Sequence, residues 1–208
     1  MSLALPRYAL DIESDTTING LDPAVSFVRS IAILGSEGSY VAEAKTRERE
    51  PALLLSAFDW LTKLDPGVVV TWNGSCYDLP FLADRLIACG LDWEVEFGIR
   101  HDPTIVPKYE ALPGHLGGYR ATSFAGHDHA DIAYGWKAWA EANGVSWSLK
   151  PVCEANGIKM IVADRAHIET LTTAELLAYN LSDVFGTDAL AVLLGDKFDE
   201  LLDSNISA

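Results

Sequence analysis

Two carboxylates, Asp11 and Glu13, stand two residues apart in the apolar run Tyr8-Ala-Leu-Asp11-Ile-Glu13. Two further acidic patterns lie far along the chain, Trp72-Asn73-Gly-Ser-Cys-Tyr77-Asp78 and Tyr179-Asn-Leu-Ser-Asp183. Each sets a carboxylate beside strongly apolar sequence, where an unpaired charge is costly to bury. Brought together, the four carboxylates would repel one another and retain protons unless divalent cations lay among them. The chemistry that such a cluster suits is two-metal hydrolysis of a phosphodiester.

The spacings fit that use. In a strand, side chains two apart share a face, so Asp11 and Glu13 project together with Cα atoms about 6.5–7 Å apart. Hard cations such as Mg²⁺ and Mn²⁺ favour oxygen ligands of this kind. Tyr179 and Asp183 fall in a long helical stretch, four apart and so on one face. A phenol beside a metal-bound carboxylate can hold and orient a water. Asp78 follows the apolar run Val68-Val69-Val70 and opens a helical segment, at the point where a strand gives way to a helix N-terminus. Alone, Asp78 also reads as an ordinary helix cap.

In this order the three patterns resemble the Exo I, Exo II and Exo III motifs of the DEDD superfamily of 3′–5′ exonucleases, which have a ribonuclease H-like fold. Tyr179 with Asp183 matches the tyrosine subclass. The stretch Val70 to Leu82 is similar to the exonuclease domain of family B DNA polymerases and to its small stand-alone relatives. His129-Ala-Asp131-Ile and the stretch Ser148 to Ile158 fit the same relatives, so the resemblance runs from about residue 7 to residue 195. One departure is Ser14, where the family often has Thr; the hydroxyl is kept. The resemblance implies two ions, Mg²⁺ or Mn²⁺, held by Asp11, Glu13, Asp78 and Asp183. It implies that Tyr179 orients the attacking water and that Asn73 and Tyr77 contact the substrate strand. The expected substrate is the 3′ end of single-stranded DNA, with RNA also admitted, and the expected partner a polymerase or another replication or repair protein. The alternative is a ribonuclease H-like interaction module without catalysis.

Composition sets further bounds. A chain of 208 residues, 49% hydrophobic, can bury a full core. Neither a repeat nor a linker divides it, so a single domain is expected over residues 1–208. Neither an uninterrupted membrane-length apolar run nor a signal-peptide pattern is read, and three cysteines without a Cys-x-x-Cys pair fit a reduced, cytoplasmic setting. Thirty acidic against fifteen basic residues give a net charge of −15, and two bound divalent cations would leave −11. Encounter with a polyanion should therefore be slow.

The pattern predicts strands at 7–12, 25–34, 39–44, 67–72 and 128–133, with a hairpin at Gly35-Ser-Glu-Gly38. It predicts helices at 50–64, 79–89, 136–143, 148–155 and 173–202. Three strands followed by alternating strands and helices give an α/β fold, a mixed sheet of about five strands with helices on both faces. Asn143-Gly144 and Asn156-Gly157 read as helix C-terminal caps. The irregular stretch 97–127 mixes Arg100, Lys108, Arg120, Tyr109 and Tyr119, groups that could stack bases. His127 and His129, near Asp131, are expected on one strand face close to the site, and no histidine has a zinc-ligand spacing with cysteine. A calcium loop is the competing frame for Asp11, Glu13, Asp15, Thr17, Asn19 and Asp22, but Thr16 stands where it needs glycine.

Overall fold

A computed structural model of the chain describes residues 5–92, 96–99 and 125–206. The first strand, β1 (Arg7–Ser14), shows the alternation on which the site depends. Tyr8, Leu10 and Ile12 enter one core, while Ala9 enters the other. Asp11 and Glu13 share the side of Ala9. β1 pairs antiparallel with β2 (Val28–Gly35), which pairs antiparallel with β3 (Gly38–Glu43). On its other side β1 runs parallel to β4 (Val68–Thr71), itself parallel to β5 (Asp128–Asp131). The sheet order is β3-β2-β1-β4-β5, so β1 is central.

Helices cover both faces, as expected of a ribonuclease H-like fold. One face packs Tyr8, Leu10, Ile31 and Val69 against α1 (Glu50–Leu61) and α2 (Asp78–Ala88), through Leu54, Leu61, Leu79, Leu82 and Leu86. The other is floored by small or β-branched residues, Ala9, Ala32, Val68, Val70 and Ala130. Over this floor lie α3 (Ala133–Asn143), α4 (Leu149–Ala155), α5 (Thr173–Leu194) and α6 (Asp196–Ile206). α5 contacts β1, β2, β3 and β4 and thus crosses the sheet above the Asp11 side. A capping box starts it, with Thr172 and Glu175 each accepting from the other's backbone N–H. By length and mean hydropathy alone α5 is apolar enough to cross a membrane, 22 residues at 1.2. Its buried side is the one laid on the sheet.

Several boundaries differ from expectation. The predicted helix 173–202 is two helices, because Gly195 adopts φ +54° and turns the chain between α5 and α6. The apolar pattern runs on through Leu194, Phe198 and Leu201, so it carries no sign of the break. Residues 25–27 belong to the β1–β2 connection, and α3 begins at Ala133. Gly35 pairs with Gly38 at the predicted hairpin, and Gly144 (φ 65°) and Gly157 (φ 76°) follow their helices as caps. The calcium-loop frame fails, since its first residues lie in a strand.

A buried ion pair fixes the connection that lines the site. Arg85 Nη2 lies 2.6 Å from Glu50 Oε2; Arg85 Nη1 also donates to Pro23 O, and Glu50 Oε1 accepts from Val28 N–H. α1, α2 and the end of the β1–β2 connection are thereby tied together.

Candidate functional site

The strand period and the helix period meet above the centre of the sheet. Asp11 and Glu13 from β1 and Asp183 from α5 each offer a carboxylate oxygen within 4.8 Å of the others. Asn180, one turn before Asp183, donates from Nδ2 to Asp11 Oδ2 at 2.6 Å and accepts from Ser30 Oγ at 2.9 Å. That chain aims Asp11 from β2 through α5. Lys150 of α4 reaches over the cluster: its Nζ lies 2.9 Å from Asp183 Oδ2 and 3.9 Å from the centre of the Tyr179 ring.

Two polar atoms there have no protein partner among the described residues, Asp183 Oδ1 and the Tyr179 hydroxyl, both buried. Buried polar groups are nearly always satisfied, so such a pair beside three carboxylates marks a place for a bound group. An all-oxygen donor set fits a hard divalent cation.

The second motif arrives by a different route. After β4 the chain turns through Asn73, which adopts φ 65°. Next to it, a Cβ on Gly74 would lie 2.4 Å from Thr71 Oγ1, so only glycine fits without displacement. Asp131, at the end of β5, fastens this turn: its carboxylate accepts from Asn73 N–H at 2.7 Å, Ser75 N–H at 3.0 Å and Ala133 N–H at 3.2 Å. The N-cap of α2 is Tyr77 rather than Asp78. Asp78 Oδ1 instead accepts from Ile12 N–H at 3.2 Å, which holds its carboxyl against β1 between Asp11 and Glu13. The Tyr77 hydroxyl meets Ser14 Oγ at 2.9 Å and Gly20 O at 3.3 Å, so the hydroxyl retained at position 14 is in use.

The electrostatics follow from four carboxyl groups gathered in one buried site. Burial, then the charges of Asp78, Glu13 and Asp183, hold the Asp11 carboxyl well above its ordinary value. Burial and Asp183 push Glu13 up to about 8, and burial pushes Asp78 up to about 7 despite the Ile12 hydrogen bond. Asp183 is raised by burial against the opposing pull of Lys150. Arg165, on the segment after α4, counters part of the repulsion at Asp11, Glu13 and Asp78.

A cleft of about 540 Å³ opens over these groups. Asp11, Glu13, Asn73, Tyr77, Asp78, Trp72, Trp147 and Arg165 line it. All five expected catalytic residues thus converge, with Asn73 and Tyr77 at the cleft wall. Sequence reasoning missed Lys150, Asn180 and Arg165 and the three-way acceptor role of Asp131. Lys150 lay within the Ser148–Ile158 resemblance and Asn180 within the third motif; nothing marked Arg165.

His127 is a correction. It accepts from Gly67 N–H through Nδ1, and its Nε2 lies 2.9 Å from Leu61 O, at the far end of β5 from the carboxylates. His129 sits 2.9 Å from Thr71 Oγ1, supporting the end of β4. Arg100, Lys108, Tyr109, Tyr119 and Arg120 lie outside the described residues.

Fold and site together define a ribonuclease H-like α/β domain with an acidic centre on its middle strand. Residues 17–101 match the family described as DNA polymerase family B, exonuclease domain. The chain is similar in structure to the family B DNA polymerase from the hyperthermophilic archaeon Pyrobaculum calidifontis, with a TM-score of 0.67 and 23% identity. That match covers 91% of this chain and 24% of the polymerase, so the chain spans about a quarter of its length. Curated proteins gave no match. The family match covers less than half of the chain, and the structural match shows the fold, a mixed five-stranded sheet with helices on both faces. The family match includes Asp78 and stops short of Asp11, Glu13, Tyr179 and Asp183, whose meeting rests on geometry.

Proposed function

We propose that this chain is a metal-dependent 3′–5′ exonuclease acting on the 3′ end of single-stranded DNA, and on RNA where the sugar is tolerated. The observation that carries the reading is the convergence of Asp11, Glu13 and Asp183 beneath the unpartnered Tyr179 hydroxyl. Asp11, Glu13 and Asp183 would hold one divalent cation, and Asp11 with Asp78 would hold a second. Mg²⁺ or Mn²⁺ held by these carboxylates would supply Lewis acidity toward a water and toward a leaving 3′ oxygen. Tyr179 orients that water with its free hydroxyl, and Asn180 keeps Asp11 aimed. Lys150 neutralises Asp183 until the cation arrives, and Arg165 lends positive charge to the cleft wall. Asn73 and Tyr77 contact the strand from the turn that Asp131 fastens.

The domain works in a reduced cytoplasmic setting, and a polymerase or repair partner offsets its acidic surface. An interaction module without catalysis would have no need of two unpartnered polar groups buried beside the carboxylates. Digestion of matched single-stranded DNA, duplex DNA and RNA, each labelled at the 5′ end, in Mg²⁺ and in Mn²⁺, tests the reading. Single-nucleotide shortening of the single strand is expected, and three intact substrates would leave only the interaction module.

A further inference from the structure

Trp147 lines the cleft beside the carboxylates, and its indole is held in place by Nε1–H donation to Ala133 O at 2.7 Å. Tyr134, the second residue of α3, stands edge-on to that indole, with ring centroids 5.9 Å apart and planes at 61°. The residue remains 44% exposed. The hydroxyl of Tyr134 lies 3.3 Å from Cys76 Sγ, two residues before Asp78, which places this ring at the rim of the same cleft. Lys137, three residues on and on the same helix face, extends its Nζ to 5.1 Å from the centre of the Trp147 ring.

Trp147 also packs against the core on the α5 side of the sheet, but core packing does not account for Tyr134 and Lys137. The buried tryptophan of α3 is Trp136, which contributes to the core between the sheet and α5, whereas Tyr134 and Lys137 point to solvent. Two aromatic rings and a cation are thus mounted together at the mouth of the cleft, on a chain whose net charge is −15. A single-stranded nucleic acid presents alternating π faces and phosphates, and this cluster offers the complement of each. The indole face attracts the Lys137 ammonium without consuming its hydrogen-bond donors, which stay available to a phosphate.

We propose that Trp147, Tyr134 and Lys137 form a stacking platform that receives the single strand as it leaves the carboxylate cleft. The proposal rests on the exonuclease reading and extends it to the path of the strand. Tyr134 stacks a base beyond the third nucleotide from the reacting end, out of reach of a trimer, Trp147 forms the fixed wall behind it, and Lys137 takes the adjoining phosphate. Every base has a π face, so the platform is indifferent to sequence. It also supplies locally the attraction that the acidic surface as a whole lacks.

The test compares binding of a thymidylate trimer and a thymidylate dodecamer, each 5′-labelled, by fluorescence anisotropy with Ca²⁺ in place of Mg²⁺. The wild type should bind the dodecamer more tightly than the trimer. In the double variant Tyr134→Ala with Lys137→Ala that advantage should shrink by roughly tenfold or more, the usual scale for loss of a base–aromatic stack. Tyr134→Phe should retain most of it, because the ring is kept and only the contact with Cys76 is lost. A general loss of stability would weaken both oligomers alike and leave the length advantage unchanged. The platform is overturned if the double variant keeps the wild-type advantage, or if Tyr134→Phe behaves as the alanine variant does. A wild type that binds neither oligomer overturns the exonuclease reading and the platform with it, whereas tight binding with no length advantage overturns the platform alone.

Discussion

Removal of one oxygen, in Tyr179→Phe, separates a working hydroxyl from a structural one. The side chain is 1% exposed and its hydroxyl has no hydrogen-bond partner among the described residues. A hydroxyl buried without a partner carries a desolvation cost of about 1–3 kcal/mol. Phenylalanine removes that cost and almost no volume, and the ring still faces Lys150 Nζ. The metal-free variant should therefore be as stable as the wild type or more stable by up to about 1 kcal/mol. Turnover should move the other way. If the hydroxyl positions the attacking water, its hydrogen bond matters chiefly in the transition state, and kcat should fall by roughly tenfold or more with little change in metal affinity. Urea unfolding without metal and single-turnover digestion of a 5′-labelled single strand in Mg²⁺ measure the two effects. A variant less stable by about 1 kcal/mol with wild-type kcat would show the hydroxyl to be a core anchor and refute the assignment.

Three further perturbations follow from the geometry. Asp78→Asn keeps a carbonyl oxygen for the Ile12 N–H and so should fold normally, yet it should lose cleavage almost completely in the same digestion assay. Asp131→Ala strands the N–H groups of Asn73, Ser75 and Ala133; unfolding should show a loss of about 3 kcal/mol or more, with activity falling because the Asp78 turn is released. Glu13 at about 8 and Asp78 at about 7 bind protons more readily folded than unfolded. The contribution of these two groups to metal-free stability should therefore be full below the ordinary carboxylate range and be lost as pH rises through 7 and 8. Added Mg²⁺ should raise the melting temperature more at pH 8 than at pH 5, because the cation competes with those protons. A metal-induced shift independent of pH would count against the carboxylates as ligands.

What was legible in the sequence was local periodicity. Asp11 and Glu13 could be placed on one face because strand side chains alternate, and Tyr179 and Asp183 because four residues make about one helical turn. Gly195 was illegible for the same reason, since Leu194, Phe198 and Leu201 carry the apolar pattern across the break while only a positive φ marks it. His127 misled because it shares the face of His129 and Asp131; each pair of residues advances a strand by about 6.6 Å, which carries His127 out of reach of the carboxylates. Lys150, Asn180 and Arg165 enter through tertiary packing. No spacing along the chain shows that α4 brings an ammonium over Asp183, or that Ser30 on β2 supports the amide that aims Asp11. Asp131 reads as one more carboxylate until the three N–H groups around it are seen.

The central claim is that the carboxylates of β1, α2 and α5 assemble a metal-dependent centre that removes nucleotides from a 3′ end. Its most direct test is digestion of a 5′-labelled linear single strand beside a circular strand of the same sequence, in Mg²⁺ and in excess chelator. A ladder of single-nucleotide steps is expected from the linear strand in Mg²⁺, with an intact circle and no products from either in chelator. Full hydrolysis in chelator, or rapid cutting of the circle, would contradict it.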